Sequence, residues 1–222
     1  MTSASRQCEH REGSPTGWSV LCAFLGSLFA LALGAGASTV DFADSFSYAD
    51  GTPLQGTNGW TVSGNGTAFA ENGVARVSDA TIANAFTDSQ TAVWTDFYLQ
   101  PTFGESDDTP GPPAGASFAF YVNTASNVVV YDGTSQVTTG VTVEEGAWTR
   151  FTVHSDYGTD TWDLYVDGVA VTNGLGFYNT DTASFGKFGV LGAGSNDLLD
   201  DLHVDIFKPA FLLGQPTLFR FR

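Results

Sequence analysis

The sequence predicts an all-β domain, a two-sheet antiparallel β-sandwich, and three observations carry that expectation. From Ser38 to about Phe207 no segment sustains an apolar period of 3.6 residues. Short runs rich in Val, Phe, Tyr and Thr recur instead, separated by clusters of Gly, Asn, Asp and Pro. Inside those runs apolar and polar residues alternate. In Thr161-Trp-Asp-Leu-Tyr-Val166, period 2 puts Trp162, Leu164 and Val166 on one face and Asp163, Tyr165 and Asp167 on the other. Strands this short bury their apolar sides by closing two layers over one core.

A leader of different character precedes this domain. WSVLCAFLGSLFALALGAGA, Trp18 to Ala37, is uncharged, follows Arg6 and Arg11, and ends in the small-x-small pattern of a signal-peptidase site, Ala35-Gly36-Ala37. Residues 1–37 therefore read as a signal-peptide helix. Its removal leaves a chain starting near Ser38, secreted to the extracellular space or cell surface and without a stable membrane span. The alternative is an uncleaved anchor, since about 20 apolar residues cross a bilayer; the Ala-Gly-Ala ending favours cleavage. Cys8 and Cys22, the only 2 cysteines, lie in the leader, so the domain must be stabilised by packing without a disulfide.

Strands are expected over Ala92–Leu99, Ser117–Asn123, Asn127–Tyr131, Gln136–Val143, Thr149–Ser155, Thr161–Val166, Val169–Thr172, Lys187–Leu191 and Leu199–Ile206. Asp132-Gly133 and Asp167-Gly168 supply the positive φ that two-residue hairpin turns need. The acidic, proline-rich stretch 104–115 reads as a surface loop. Residues 38–207 thus form one domain. The tail 208–222 brings Lys208, Arg220 and Arg222 and no acid, and is too broken by Pro209 and Pro216 to span a membrane. Its role is not assigned by the sequence.

Charge narrows the partners. The formal net charge is -16, and Arg6 and Arg11 cancel Glu9 and Glu12 in the leader, so the acidity belongs to the domain. Such a field repels nucleic acid. It tolerates a neutral polysaccharide or a divalent cation, and it also keeps a protein soluble.

Four pieces of sequence carry a resemblance: SFSYADGTPLQGTNGW (Ser45 to Trp60), VWTDFYLQP (Val93 to Pro101), WTRFTVHSDYGTDTWDLYVDG (Trp148 to Gly168) and LDDLHV (Leu199 to Val204). In this order they resemble a laminin-G-like module of the concanavalin A-like lectin/glucanase superfamily, of the kind found in secreted bacterial proteins. The resemblance implies a jelly roll of two curved sheets whose face or rim loops hold glycan or calcium. It implies no single activity, because lectins, adhesion modules, lyases and glycosidases share the fold.

Catalytic patterns are weak in the residues themselves. Asp163-x-Tyr165-x-Asp167 resembles the alternating carboxylates of a glycosidase strand, but its centre is a tyrosine and Asp167 belongs to the turn. Positions four apart on a strand lie roughly 13 Å apart, whereas a retaining pair approaches to about 5–5.5 Å. No Gly-x-Ser-x-Gly elbow is present, and the lyase signatures of this fold are not recognisable. His154 reads as solvated, Trp148 as core and Trp60 as a cap on the sandwich.

Sugar binding asks for an exposed aromatic face with Asp or Asn beside it. Val93, Phe97 and Leu99 form the better core face of their strand, which leaves Trp94 and Tyr98 outside. Trp94, Tyr98, Asp163 and Tyr165 are therefore the candidate carbohydrate platform. Calcium wants several oxygens, and Asn196, Asp197, Asp200 and Asp201 precede or open the last strand while Asp41 and Asp44 open the domain. If first and last strands are neighbours, Asp44, Asp200 and Asp201 are the candidate Ca²⁺ ligands. The sequence reads best as a non-catalytic binding or adhesion module for extracellular glycan. A glycoside hydrolase or polysaccharide lyase, and a structural envelope or matrix component, are the alternatives.

Overall fold

The computed structural model describes residues 18–20, 38–103, 111–113, 115–193 and 196–214. The rest of the leader, with its cleavage pattern and expected helix, lies outside the described residues, as do positions 104–110 and 114 of the acidic loop and residues 215–222 of the tail.

The fold is an all-β antiparallel sandwich, as expected. Its strands are β1 (Trp18–Val20), β2 (Phe42–Asp44), β3 (Trp60–Glu71), β4 (Val74–Ala85), β5 (Ala92–Gln100), β6 (Phe120–Val122), β7 (Asn127–Asp132), β8 (Ser135–Thr142), β9 (Thr149–Asp156), β10 (Thr161–Val166), β11 (Val169–Gly176), β12 (Lys187–Ala193) and β13 (Asp197–Asp205). A 3-10 turn, Ala210–Leu213, follows. One sheet runs β1-β12-β4-β13-β5-β9-β10-β11, with β2 beside β13 and β3 beside β4; β6-β7-β8 form a second.

The larger sheet curls back on itself. Between β5 and β12 lie β13 and β4, three strand steps or roughly 14 Å if the sheet were flat. Yet the rings of Phe97 on β5 and Phe188 on β12 stand 5.3 Å apart across the core. The second sheet closes the other end, with Phe120 5.1 Å from Phe151 and Phe118 5.1 Å from Trp162. Val93, Phe97, Leu99, Phe151, Val153, Trp162, Leu164 and Val166 all point into this core. Each fully buried aliphatic or phenyl side chain contributes about 1.5–3 kcal/mol.

Turn chemistry sets the registers. Asp167 (φ 50) and Gly168 (φ 79) form the expected hairpin turn between β10 and β11. The β7–β8 turn sits one residue later than expected: Asp132 pairs with Ser135, and Gly133 (φ 60) opens the bend. Asp132 Oδ1 instead accepts the Gly176 N–H at 2.9 Å, tying the second sheet to β11.

The largest departure from expectation is the twelve-residue pair β3–β4, turning at Asn72 (φ 53) and Gly73 (φ 80). Its inward residues, Ala68, Ala70, Ala75 and Ala80, are too small to print a strong apolar alternation, although Val77 and Ile82 share the face. The bulge between Gly64 and Thr67 demands glycine at 66, where a Cβ would lie 1.8 Å from the Ser78 carbonyl oxygen. Trp148 is a second departure. It is 42% exposed, because the chain is still in the turn before β9 and Phe151 and Val153 take the core positions.

Candidate functional site

Strands β13, β5, β9 and β10 are neighbours, and their register lines up the outward side chains in rows. The first row is Asp205, Trp94, His154 and Asp163; the second is His203, Asp96, Thr152 and Tyr165. Asp200, Tyr98 and Arg150 form the third. Asp167 extends it, with its carboxylate accepting the Arg150 N–H at 3.0 Å. All four residues of the expected carbohydrate platform therefore share one face, each of them half-buried.

The sequence missed what joins them. His154, expected to be solvated, stacks on Trp94 with ring centres 4.3 Å apart and an interplanar angle of 20°. Its Nδ1 lies 3.3 Å from Asp163 Oδ2, while Asp163 Oδ1 accepts the Gly174 N–H at 2.7 Å. Tyr165 closes on Trp94 at 6.0 Å. Burial, then the charge of Asp163, pushes the Tyr165 hydroxyl above the ordinary tyrosine range. Strict alternation along β9 placed Arg150, Thr152 and His154 on this face, and that was the signal available in the sequence.

Row three is organised around Arg150. Its Nε donates to Asp96 Oδ1 at 3.0 Å and its Nη2 to Asp96 Oδ2; Thr152 Oγ1 donates to the same carboxylate at 2.7 Å. Asp96 is buried, so the two charges and three donors satisfy one another. The hydrogen bond to Asp96 raises the Arg150 pKa further. The guanidinium lies over the Tyr98 ring, 5.4 Å from its centre.

The segment after β13 crosses this face. Phe211 of the 3-10 turn also packs on the Arg150 guanidinium, 3.5 Å from ring centre to Cζ. Lys208 Nζ sits 5.4 Å from the Trp94 ring centre and 5.9 Å from that of Tyr165.

The acidic candidates divide differently. β2 does pair with β13, as expected of the first and last strands, with Asp44 opposite Leu202. That pairing turns Asp44 inward, where Oδ2 accepts from Tyr48 Oη (2.8 Å), Asn58 Nδ2 (3.0 Å) and Trp60 Nε1 (2.7 Å), and Oδ1 from the Phe46 N–H (2.8 Å). Trp60 is fully buried. The opening motif is thus a hub of donors around one carboxylate. Burial first, then the hydrogen bond to Asp44, holds the Tyr48 hydroxyl protonated far above its usual range.

Asp200 faces outward beside Tyr98, its pKa raised chiefly by burial and also by the charges of Asp201 and Asp44. Asp201, at a bulge with φ 51, is exposed and points towards His203, 3.5 Å away. Asp197 Oδ1 accepts from the N–H and hydroxyl of Thr102. Among the described residues no three His, Cys, Asp or Glu side chains gather closely enough to hold a metal ion.

No family model matches the chain, and no curated protein matches it. Solved structures do. A sialidase superposes with a TM-score of 0.57 at 12% identity over 73% of this chain, which spans 19% of the sialidase. A variant of the alginate lyase Aly36B in complex with alginate trisaccharide gives 0.53 at 14% identity, covering 78% of this chain and 99% of the lyase. Another, in complex with alginate tetrasaccharide, gives 0.51 at 13% identity, covering 77% and 99%. The likeness is one of fold. These neighbours are carbohydrate-active proteins, and the sandwich is one on which such proteins are built.

Proposed function

We propose that the chain is a secreted, laminin-G-like binding or adhesion module that holds an extracellular glycan, without cleaving it, on the outer face of β5, β9 and β10. The observation that supports this most is the row Trp94–His154–Asp163 with Tyr165 beside it. It combines large aromatic rings with fixed carboxylate and imidazole groups on a half-buried surface. Aromatic rings of this kind stack on the apolar face of a sugar, and the neighbouring polar groups orient its hydroxyls. The fold shared with carbohydrate-active proteins points the same way.

The test is retention on immobilised polysaccharides and a glycan array, comparing the exported protein with Trp94→Ala and Tyr165→Ala. Selective retention of the parent and loss in both variants is expected; equal retention by all three rejects this face. Release of shortened or unsaturated sugar products, abolished by His154→Ala, would replace binding with catalysis.

A further inference from the structure

The group already lying on the candidate face is an ammonium. Lys208 Nζ is within cation–π range of both Trp94 and Tyr165. No carboxylate among the described residues comes within ion-pair distance of it. The lysine is exposed, as are Ile206, Phe207 and Phe211 around it. The backbone hydrogen bonds found in this segment are local: Leu212 N–H to the Pro209 carbonyl and Phe207 N–H to Asp205 Oδ1. Side-chain contacts of Lys208, Phe211 and Leu212 hold it against the sheet.

The surroundings favour a cation. In the three rows, Asp96 is neutralised by Arg150, but the carboxylates of Asp163, Asp167, Asp200 and Asp205 remain. The whole chain carries a net charge of -16. The geometry points to Lys208 as an internal occupant of a cation-accepting aromatic site, displaced by a glycan bearing unacetylated amino sugars, whose protonated amine takes the place of Nζ over Trp94 and Tyr165. This rests on the proposed glycan-binding face and names the class of glycan it selects. A protonated 2-amino group on a pyranose presents the same charge beside an apolar ring face, so one ligand unit answers both the negative field of this face and its stacking surface. An N-acetylated unit keeps the ring and loses the charge.

The experiment is calorimetric titration of the exported protein with a β-1,4-linked glucosamine hexasaccharide, at a pH where its amines are protonated. Its fully N-acetylated counterpart and an oligouronate serve as comparisons. Lys208→Ala removes the internal competitor and is expected to tighten binding of the amino oligosaccharide by about tenfold. Lys208→Arg should restore parental affinity, and Trp94→Ala should abolish binding. Equal affinity of parent and Lys208→Ala, or equal binding of free-amine and N-acetylated sugars, overturns the inference. If neutral or uronate sugars bind in a Trp94-dependent way regardless of Lys208, the amine assignment alone falls. If no sugar binds any version, the glycan-binding reading falls with it.

Discussion

Asp44 and Asp163 are both carboxylates linked to a tryptophan, the first directly and the second through His154, and the chain uses them in opposite ways. Asp44 is turned inward and accepts four donors, including the indole of a fully buried Trp60. Asp163 lies on the outer face, where Trp94 is touched by a histidine ring and a lysine but makes no buried indole hydrogen bond to it. Directional bonds at the first make it a structural clasp. Stacking and cation–π contacts at the second, worth about 0.5–1 kcal/mol each when exposed, leave it exchangeable.

Asp44→Ala should break the clasp most severely. It strands the Trp60 and Asn58 donors and the Phe46 N–H, at about 1–3 kcal/mol for each buried group left unpaired. A fall of about 3–4 kcal/mol in urea unfolding is expected, with the slope against denaturant unchanged; a fall under 1 kcal/mol would show that the hub is not structural. Arg150→Ala comes next. Asp96 keeps Thr152 and loses its counter-ion, and because Arg150 is partly exposed the expected loss is about 2 kcal/mol. Arg150→Lys should recover only part of it, since one ammonium cannot reproduce two guanidinium bonds.

Alkaline pH sharpens the contrast further. Tyr48, and Tyr157 through its burial, keep their protons in the folded chain above the ordinary value of 10.0. Their stabilisation is therefore complete below that pH and is lost as pH rises above it, because the unfolded chain then releases protons that the folded chain retains. Melting temperature should fall steeply above pH 10.0, and Tyr48→Phe should flatten that fall while lowering stability at neutral pH. Trp94→Ala should cost less than about 1 kcal/mol, as a half-exposed contact does. Millimolar Ca²⁺ should move the melting temperature least, by under about 1 °C, because the oxygens of Asp44 already have donors.

The sequence made the strand faces legible wherever large residues alternate. β5 and β10 point as read, because Val93, Phe97 and Leu99 mark the inner side of one and Trp162, Leu164 and Val166 that of the other, leaving Trp94 and Tyr98, and Asp163 and Tyr165, outside. It left β3–β4 dark because alanine, glycine, serine and threonine carry little hydrophobic contrast, although Asn72-Gly73 was a sound turn signal. Alternation alone could place Trp94 and Tyr98 outside on β5, and Asp163 and Tyr165 outside on β10. Their partners could not, because which strand lies beside β5 is a matter of pairing between distant segments. The same ignorance hid the role of residues 206–214, which nothing in their own composition directs to Trp94.

Strand order carries a consequence in time. β13, the last strand among the described residues, lies between β4 and β5 and also holds β2. As a ribosome delivers the chain, β2, β4 and β5 wait with this neighbour missing, and the two flanking pieces keep open edges until about residue 205 emerges. Completion of the larger sheet thus waits for β13. A nascent or truncated form ending before Asp197 should expose strand edges, recruit chaperones and aggregate where the finished chain does not.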